Sequence, residues 1–233
     1  MFQDEINSHP EIRCFLEPFH RLEAAPRQNP LFEGEPLFDE YMRDMNLEAG
    51  PNAFHQFLDH LATKTDRSIW GFKIIGTHIQ ERPRLLEVLK TSGFDALLVN
   101  RRNEVHTALS LLVAAQRGVY NSRQEAPTNQ VTIDHKDLLR AILSARKAKE
   151  ALANMVIQLG FRVHELIYED RLNEGLSYYQ DAFAFLGANT QTQGKKSTLT
   201  RMTPAQDYPR IIANYPQILE TLRMAKLDHL LAD

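Results

Sequence analysis

The sequence predicts an α/β protein with a mostly parallel sheet flanked by helices in three layers, and three observations predict it. Residues 12–15, 70–76, 96–100 and 163–168 are short apolar or β-branched runs of strand length. Between them, apolar residues recur at helical spacing. The two patterns alternate along the chain instead of gathering in blocks, as layered βα units require. The 233 residues are 43% hydrophobic and 24% charged, with net charge -3, the balance of an ordinary globular protein. A chain of this length buries roughly 70–75% of its unfolded surface, so it needs no disulfide or metal staple to fold.

Taken in order, Phe2 and Ile6 before His9-Pro10 read as the end of an amphipathic helix stopped by proline. Residues 12–15 follow as a strand closed by Glu17-Pro18. The stretch 24–51 is dense in proline and acids and reads as irregular, either a lid over a site or a long surface loop. Phe54, Phe57, Leu58 and Leu61 mark a helix by their i, i+3, i+4, i+7 spacing. A glycine-bounded strand at 70–76 precedes a short helix through Leu85, Leu86 and Leu89 that Gly93 closes. The continuous apolar run 96–99 has the composition of a strand covered on both faces. Asn103 then caps a helix striped by Val105, Ala108, Leu109 and Leu112. A long helix over 136–159 stops at Gly160, a strand spans 163–168, and a helix runs through Tyr178, Phe183 and Phe185 to Gly187. Residues 190–206 are a polar, partly basic loop, and 211–231 are mainly helical. Neither a repeat nor a linker divides the chain, so one domain over 1–233 is expected.

Several function classes are disfavoured. Cys14 is the sole cysteine, which excludes an internal disulfide and a multi-cysteine zinc site, and no metal is expected. No apolar run approaches the roughly 20 residues of a membrane helix. The near-neutral charge and pI of 6.3 argue against nucleic acid as a partner. The first residues lack the basic and apolar regions of a secretory signal, which points to a cytoplasmic enzyme or binding protein.

Ligands of parallel sheets collect where strands end and helix N-termini present their amides. Arg101 and Arg102 stand at such a point, beside the helix capped by Asn103. Guanidinium groups and the positive end of a helix dipole suit a phosphate or sulfate. Ser110, seven residues beyond Asn103, returns to the same side of the helix about 10 Å along and can add a hydroxyl donor. The alternative is surface ion pairing by the arginines and a small helix residue at 110.

Arg102-Asn103 followed by Ser110, at the end of an apolar strand, resembles the 3′-phosphate signature of sulfotransferases that use 3′-phosphoadenosine-5′-phosphosulfate. Three further stretches resemble that family in order and spacing. They are Phe72-Lys73-Ile74-Ile75-Gly76-Thr77-His78, then Ile167-Tyr168-Glu169-Asp170 with Phe185-Leu186-Gly187, then Leu199-Thr200-Arg201 with Ile212-Ala213-Asn214-Tyr215. The last is similar to the bacterial and Golgi carbohydrate-type members. The resemblance implies a P-loop-NTPase-like sulfotransferase fold, the phosphosulfate nucleotide as sulfate donor without a metal, and a carbohydrate or related hydroxyl as acceptor. It implies that Arg102 and Ser110 hold the 3′-phosphate and that Tyr168 neighbours the adenine. Lys195, Lys196 and Arg201 form a basic loop that closes on the nucleotide or is simply solvated.

One part of the family pattern is missing. The opening strand and the glycine- and hydroxyl-rich loop that wraps the 5′-phosphosulfate have no counterpart, and residues 2–10 resemble the tail of the helix that follows that loop. The expectation is an N-terminally incomplete domain that has lost its first strand, a targeting segment with it if one existed, and that self-associates through exposed edges. Two residues compete as the base for the acceptor hydroxyl. Glu17 resembles the glutamate of carbohydrate-acting members. His78 resembles the histidine of the small-molecule enzymes, and an unperturbed histidine titrates near neutrality. Lys73 falls among apolar strand neighbours, facing an anionic site or held in a structural ion pair. The competing reading of the whole chain is a catalytically inactive relative that binds nucleotide or acts as an interaction protein.

Overall fold

The computed structural model describes residues 2–20, 34–48, 50–118, 129–192 and 205–231. Within them the chain is α/β, with short parallel strands in two small sheets. It divides into two compact units: Met1–Leu98 with Leu152–Leu166 and Asp170–Ser197, and Val99–Ala151 with Ile167–Glu169 and Thr198–Asp233.

In the first unit, α1 (Phe2–Asn7) leads into β1 (Ile12–Phe15), which pairs in parallel with β2 (Ile69–Phe72), Ile12 opposite Ile69 and Phe15 opposite Phe72. β3 (Ala96–Asn100) and β4 (Val163–Ile167), both of which run on into the second unit, form the other sheet. The strands therefore pair two by two among the described residues, where the sequence predicts one continuous sheet. On the side of β1 away from β2, side chains take the place of a further strand. Arg67 donates to the Ile12 carbonyl at 2.6 Å, Asn7 Oδ1 accepts from the Cys14 amide at 3.2 Å, and Gln3 Nε2 donates to the Cys14 carbonyl at 2.9 Å. Glu35 then accepts from the Leu16 amide at 2.9 Å. An edge whose polar groups are already bonded does not recruit another strand.

The helices of this unit are α2 (Phe38–Asp44), α3 (Pro51–Ala62), α4 (Gly76–Glu81) and α5 (Leu85–Thr91), with α8 (Tyr168–Glu174) from residue 170 onward and α9 (Gln180–Leu186). α2 corrects the reading of 24–51 as irregular. Phe38 and Met42, one turn apart, are both buried, and the surrounding prolines and acids mask that two-residue stripe. The rest of that stretch through residue 33 lies outside the described residues. Phe19 is fully buried among Phe38, Phe54, Phe57 and Phe72, with ring centroids 5.3–6.1 Å away, and anchors the main core. A second cluster joins Ile6, Ile12, Leu166, Tyr179 and Phe183. Beside it the Glu5 carboxylate, wholly buried, accepts from Arg171 Nε at 2.8 Å and the Tyr179 hydroxyl at 2.6 Å.

In the second unit, Asn103 caps α6 (Glu104–Arg117) as expected, its side chain accepting from the His106 amide at 2.9 Å. α6 ends at Gly118, whose φ of 67° is the left-handed conformation that glycine adopts without strain. Its stripe of Val105, Ala108, Leu109 and Val113 packs with Ile133, Leu138 and Ile142, the last two from the start of α7 (His135–Gln158), and with residues of α10 (Tyr208–Ile211) and α11 (Tyr215–Met224). Asn214 belongs to one of the family-like motifs, and its job here is structural: its amide bonds both the N–H and the carbonyl of Ile133, at 3.0 and 2.8 Å. Val99 of β3 is 47% exposed, so this strand is not covered on both faces as its composition implies.

Candidate functional site

Glu17, one of the two candidate bases, follows the end of β1. Its φ is 40°, a left-handed conformation uncommon outside glycine, and such strain persists only where the surroundings enforce it. Here the enforcement is visible. Pro18 pre-sets the next residue for a turn, the His20 amide closes that turn onto the Glu17 carbonyl at 2.9 Å, and the Phe38 amide binds the Pro18 carbonyl at 2.7 Å. Phe19, inside the turn, is locked in the core. The turn swings His20 back beside Glu17.

β2 supplies the rest. It ends at Phe72, earlier than the run 70–76 implies, because Gly76 already opens α4. Lys73, just past the strand, places its ammonium 2.5 Å from Glu17 Oε1 and is 43% exposed, so of the two roles open to it the ion pair is the one formed. His78, the other candidate base, is a buried residue of α4 and not a loop histidine. Its Nε2 lies 3.9 Å from Glu17 Oε2 and 3.3 Å from His20 Nδ1, and His20 Nδ1 lies 3.6 Å from the same Oε2. Both candidate bases and the unusual lysine thus meet at the carboxyl ends of a parallel strand pair, where α/β folds hold their ligands.

Electrostatics separates the two bases. Burial pushes the His78 imidazole down to about 4, the nearby Glu17 only partly offsetting it, so the ring is neutral at pH 7. The Ile75 amide faces His78 Nδ1 at 3.5 Å, a long contact that favours the tautomer with the ring proton on Nε2. Cys14 is no nucleophile: burial, with Glu35, pushes its thiol up to about 12.

The second unit holds the candidate nucleotide residues. Arg102 is exposed on the turn after β3, Ser110 is half-buried in the middle of α6, and Tyr168 is buried where β4 gives way to α8. Two of the motifs interlock. The Arg101 guanidinium lies 4.1 Å above the Tyr168 ring, and Glu169 accepts from the amides of Arg102 and Asn103 at 3.0 and 3.2 Å. A carboxylate is therefore already seated at the turn where the sequence suggests an external anion held by the arginine side chains and the helix dipole. Lys149 donates to the Arg101 carbonyl at 3.2 Å, and Arg146 pairs with Glu104 through two bonds of 2.8 and 3.1 Å, so α7 braces the same turn. Lys195, Lys196 and Arg201 lie outside the described residues.

A cavity of about 300 Å³ in the second unit, lined by Thr132, Asp134, His135, Asn214 and Gln217 among others, contains none of these residues. Its carboxylate, Asp134, already accepts from the amides of Lys136 and Asp137 at the start of α7. The cluster at the ends of β1 and β2 instead joins a Glu17–Lys73 ion pair to two imidazoles, and the candidate site is placed there. Sequence reasoning missed His20; the signal available was its position three residues after Glu17 across a proline turn.

Comparison with protein families, curated proteins and solved structures finds no match to this chain. No helix among the described residues is long and apolar enough to cross a membrane.

Proposed function

We propose that this chain is a sulfotransferase-type protein that moves a sulfuryl group from 3′-phosphoadenosine-5′-phosphosulfate to a hydroxyl of a carbohydrate or related acceptor, on a P-loop-NTPase-like fold. The observation that carries the proposal is the meeting of Glu17, Lys73 and His78 at the ends of β1 and β2, since two separate family-like stretches supply those residues. The order of the motifs along the chain supports the donor assignment, with Arg102 and Ser110 for the 3′-phosphate and Tyr168 near the adenine.

In the transfer, the acceptor oxygen bonds to sulfur as the bond from sulfur to the leaving phosphate breaks and the phosphate keeps the electron pair. The acceptor's proton needs a base in reach. Glu17 Oε2 is that base, because His78 Nε2 already carries a proton and serves as a donor that orients the cluster. Lys73 holds Oε1, fixing the carboxylate's rotation and leaving Oε2 for the proton. Positioning and charge complementarity carry most of such a reaction, as in phosphoryl transfer.

The test is incorporation of labelled sulfate from the donor nucleotide into a panel of glycans. Wild type transfers label, and Glu17→Gln, which keeps the shape and removes the base, loses roughly 10²–10⁴-fold in rate. No incorporation into any acceptor, or an unchanged rate in the variant, contradicts the reading. The contact of Glu169 with the Arg102 and Asn103 amides favours a second reading, an interaction protein without transfer, because a resident carboxylate competes with a bound phosphate. That reading predicts neither label transfer nor a preference for the 3′-phosphorylated nucleotide.

A further inference from the structure

Glu17, His20 and His78 do more than place a base. Glu17 Oε2, His20 Nδ1 and His78 Nε2 all lie within 4.8 Å of one another. Two imidazole nitrogens on one tetrahedral zinc ion, each bonded at 2.0–2.1 Å, stand about 3.4 Å apart; here they stand 3.3 Å apart. With the carboxylate oxygen 3.6 and 3.9 Å from those nitrogens, the point about 2.1 Å from all three atoms lies in their plane, so a tetrahedral ion is reached once the carboxylate oxygen draws in by a few tenths of an ångström.

We infer that Glu17, His20 and His78 form a three-ligand site for a borderline divalent cation, zinc foremost, with a fourth position left to water. Two nitrogens and one carboxylate oxygen are the donor set that suits zinc over calcium or magnesium. Lys73 supports the site from outside by holding the other carboxylate oxygen, the kind of contact that orients a ligating carboxylate. The site is built on fixed parts: the strained turn at Glu17, the buried Phe19 and the helix carrying His78. One contact works against it. A cation on His78 Nε2 moves the ring proton to Nδ1, which faces the Ile75 amide, so affinity is lowered by roughly 10–100-fold relative to a site whose outer partner accepts that proton. The site is therefore a moderate one, filled or emptied by the available cation, and not a permanent structural centre.

Occupancy engages Glu17 Oε2. If Glu17 is the base for sulfuryl transfer, zinc is an inhibitor of that transfer; this consequence rests on the function proposed above, whereas cation binding does not. Cobalt(II) tests the binding without any activity assay, since four-coordinate cobalt absorbs strongly in the visible and hydrated cobalt does not. The full chain is expected to take up one equivalent of cobalt with that absorption, to surrender it to zinc, and to lose at least tenfold in affinity in His20→Ala. His20 is partly exposed, so this variant keeps the fold, which far-UV circular dichroism checks. His229→Ala, outside the cluster, binds as wild type. Absence of stoichiometric uptake, or equal weakening by His20→Ala and His229→Ala, overturns the site. Cobalt uptake without sulfate transfer leaves the site standing and removes the enzymatic reading; transfer without cobalt uptake does the reverse.

Discussion

At Glu17 the backbone, the charge and the packing all act on one residue. A left-handed φ, an ion pair to Lys73 and two facing imidazoles are held by a turn that a buried phenylalanine anchors. Its neighbour His78 makes a separate prediction about pH. Its folded value of about 4 lies below the ordinary 6.5, chiefly through burial, with Glu17 opposing and His20 and Arg82 adding to the shift. Between those two values the unfolded chain binds a proton at His78 that the folded chain refuses, so this contribution is intact above about pH 6.5 and is lost as pH falls toward 4. The loss is on the order of 3 kcal/mol. Urea midpoints at pH 7 and 4.5 are expected to fall more steeply for wild type than for His78→Asn, which cannot titrate; equal slopes contradict the assignment.

β3, α6 and the start of α8 form one local device in which family-like motifs bind each other: Arg101 on Tyr168, and Glu169 on the amides of Arg102 and Asn103. If Arg102 receives a phosphate, Glu169 is a like charge beside it. Glu169→Gln then tightens binding of 3′-phosphoadenosine 5′-phosphate by up to about fivefold, measured by calorimetric titration; weaker binding would assign Glu169 to holding the turn in its competent shape. These elements were largely legible in the sequence, because apolar runs, an asparagine cap and closing glycines are local signals. β1 and β3 fall on the residues their composition marks, and Asn103 caps α6. Other features depend on partners distant in sequence and left no local trace. α2 has a stripe of two residues inside a proline-rich stretch, and the capping of β1 by Gln3, Asn7, Glu35 and Arg67 draws on three separate segments. The convergence of Glu17 and His78, proposed from sequence as alternatives, is of the same kind: nothing local says that both belong to one cluster.

Across the first unit, the Glu5 carboxylate, with Arg171 and Tyr179, ties the N-terminal helix to chain more than 160 residues later. Leaving Arg171 buried opposite a neutral amide in Glu5→Gln is expected to lower the unfolding free energy by about 3–5 kcal/mol, read from urea denaturation; a change under 1 kcal/mol would mean that water reaches the pair. For the chain as a whole, the identity of the nucleotide is the claim on which the functional reading turns. The most direct measurement is titration with 3′-phosphoadenosine 5′-phosphate against adenosine 5′-monophosphate, for wild type, Arg102→Ala and Ser110→Ala. Wild type is predicted to prefer the 3′-phosphorylated nucleotide and both variants to lose most of that preference. Equal binding of the two nucleotides by wild type, or a preference that survives both substitutions, would contradict it.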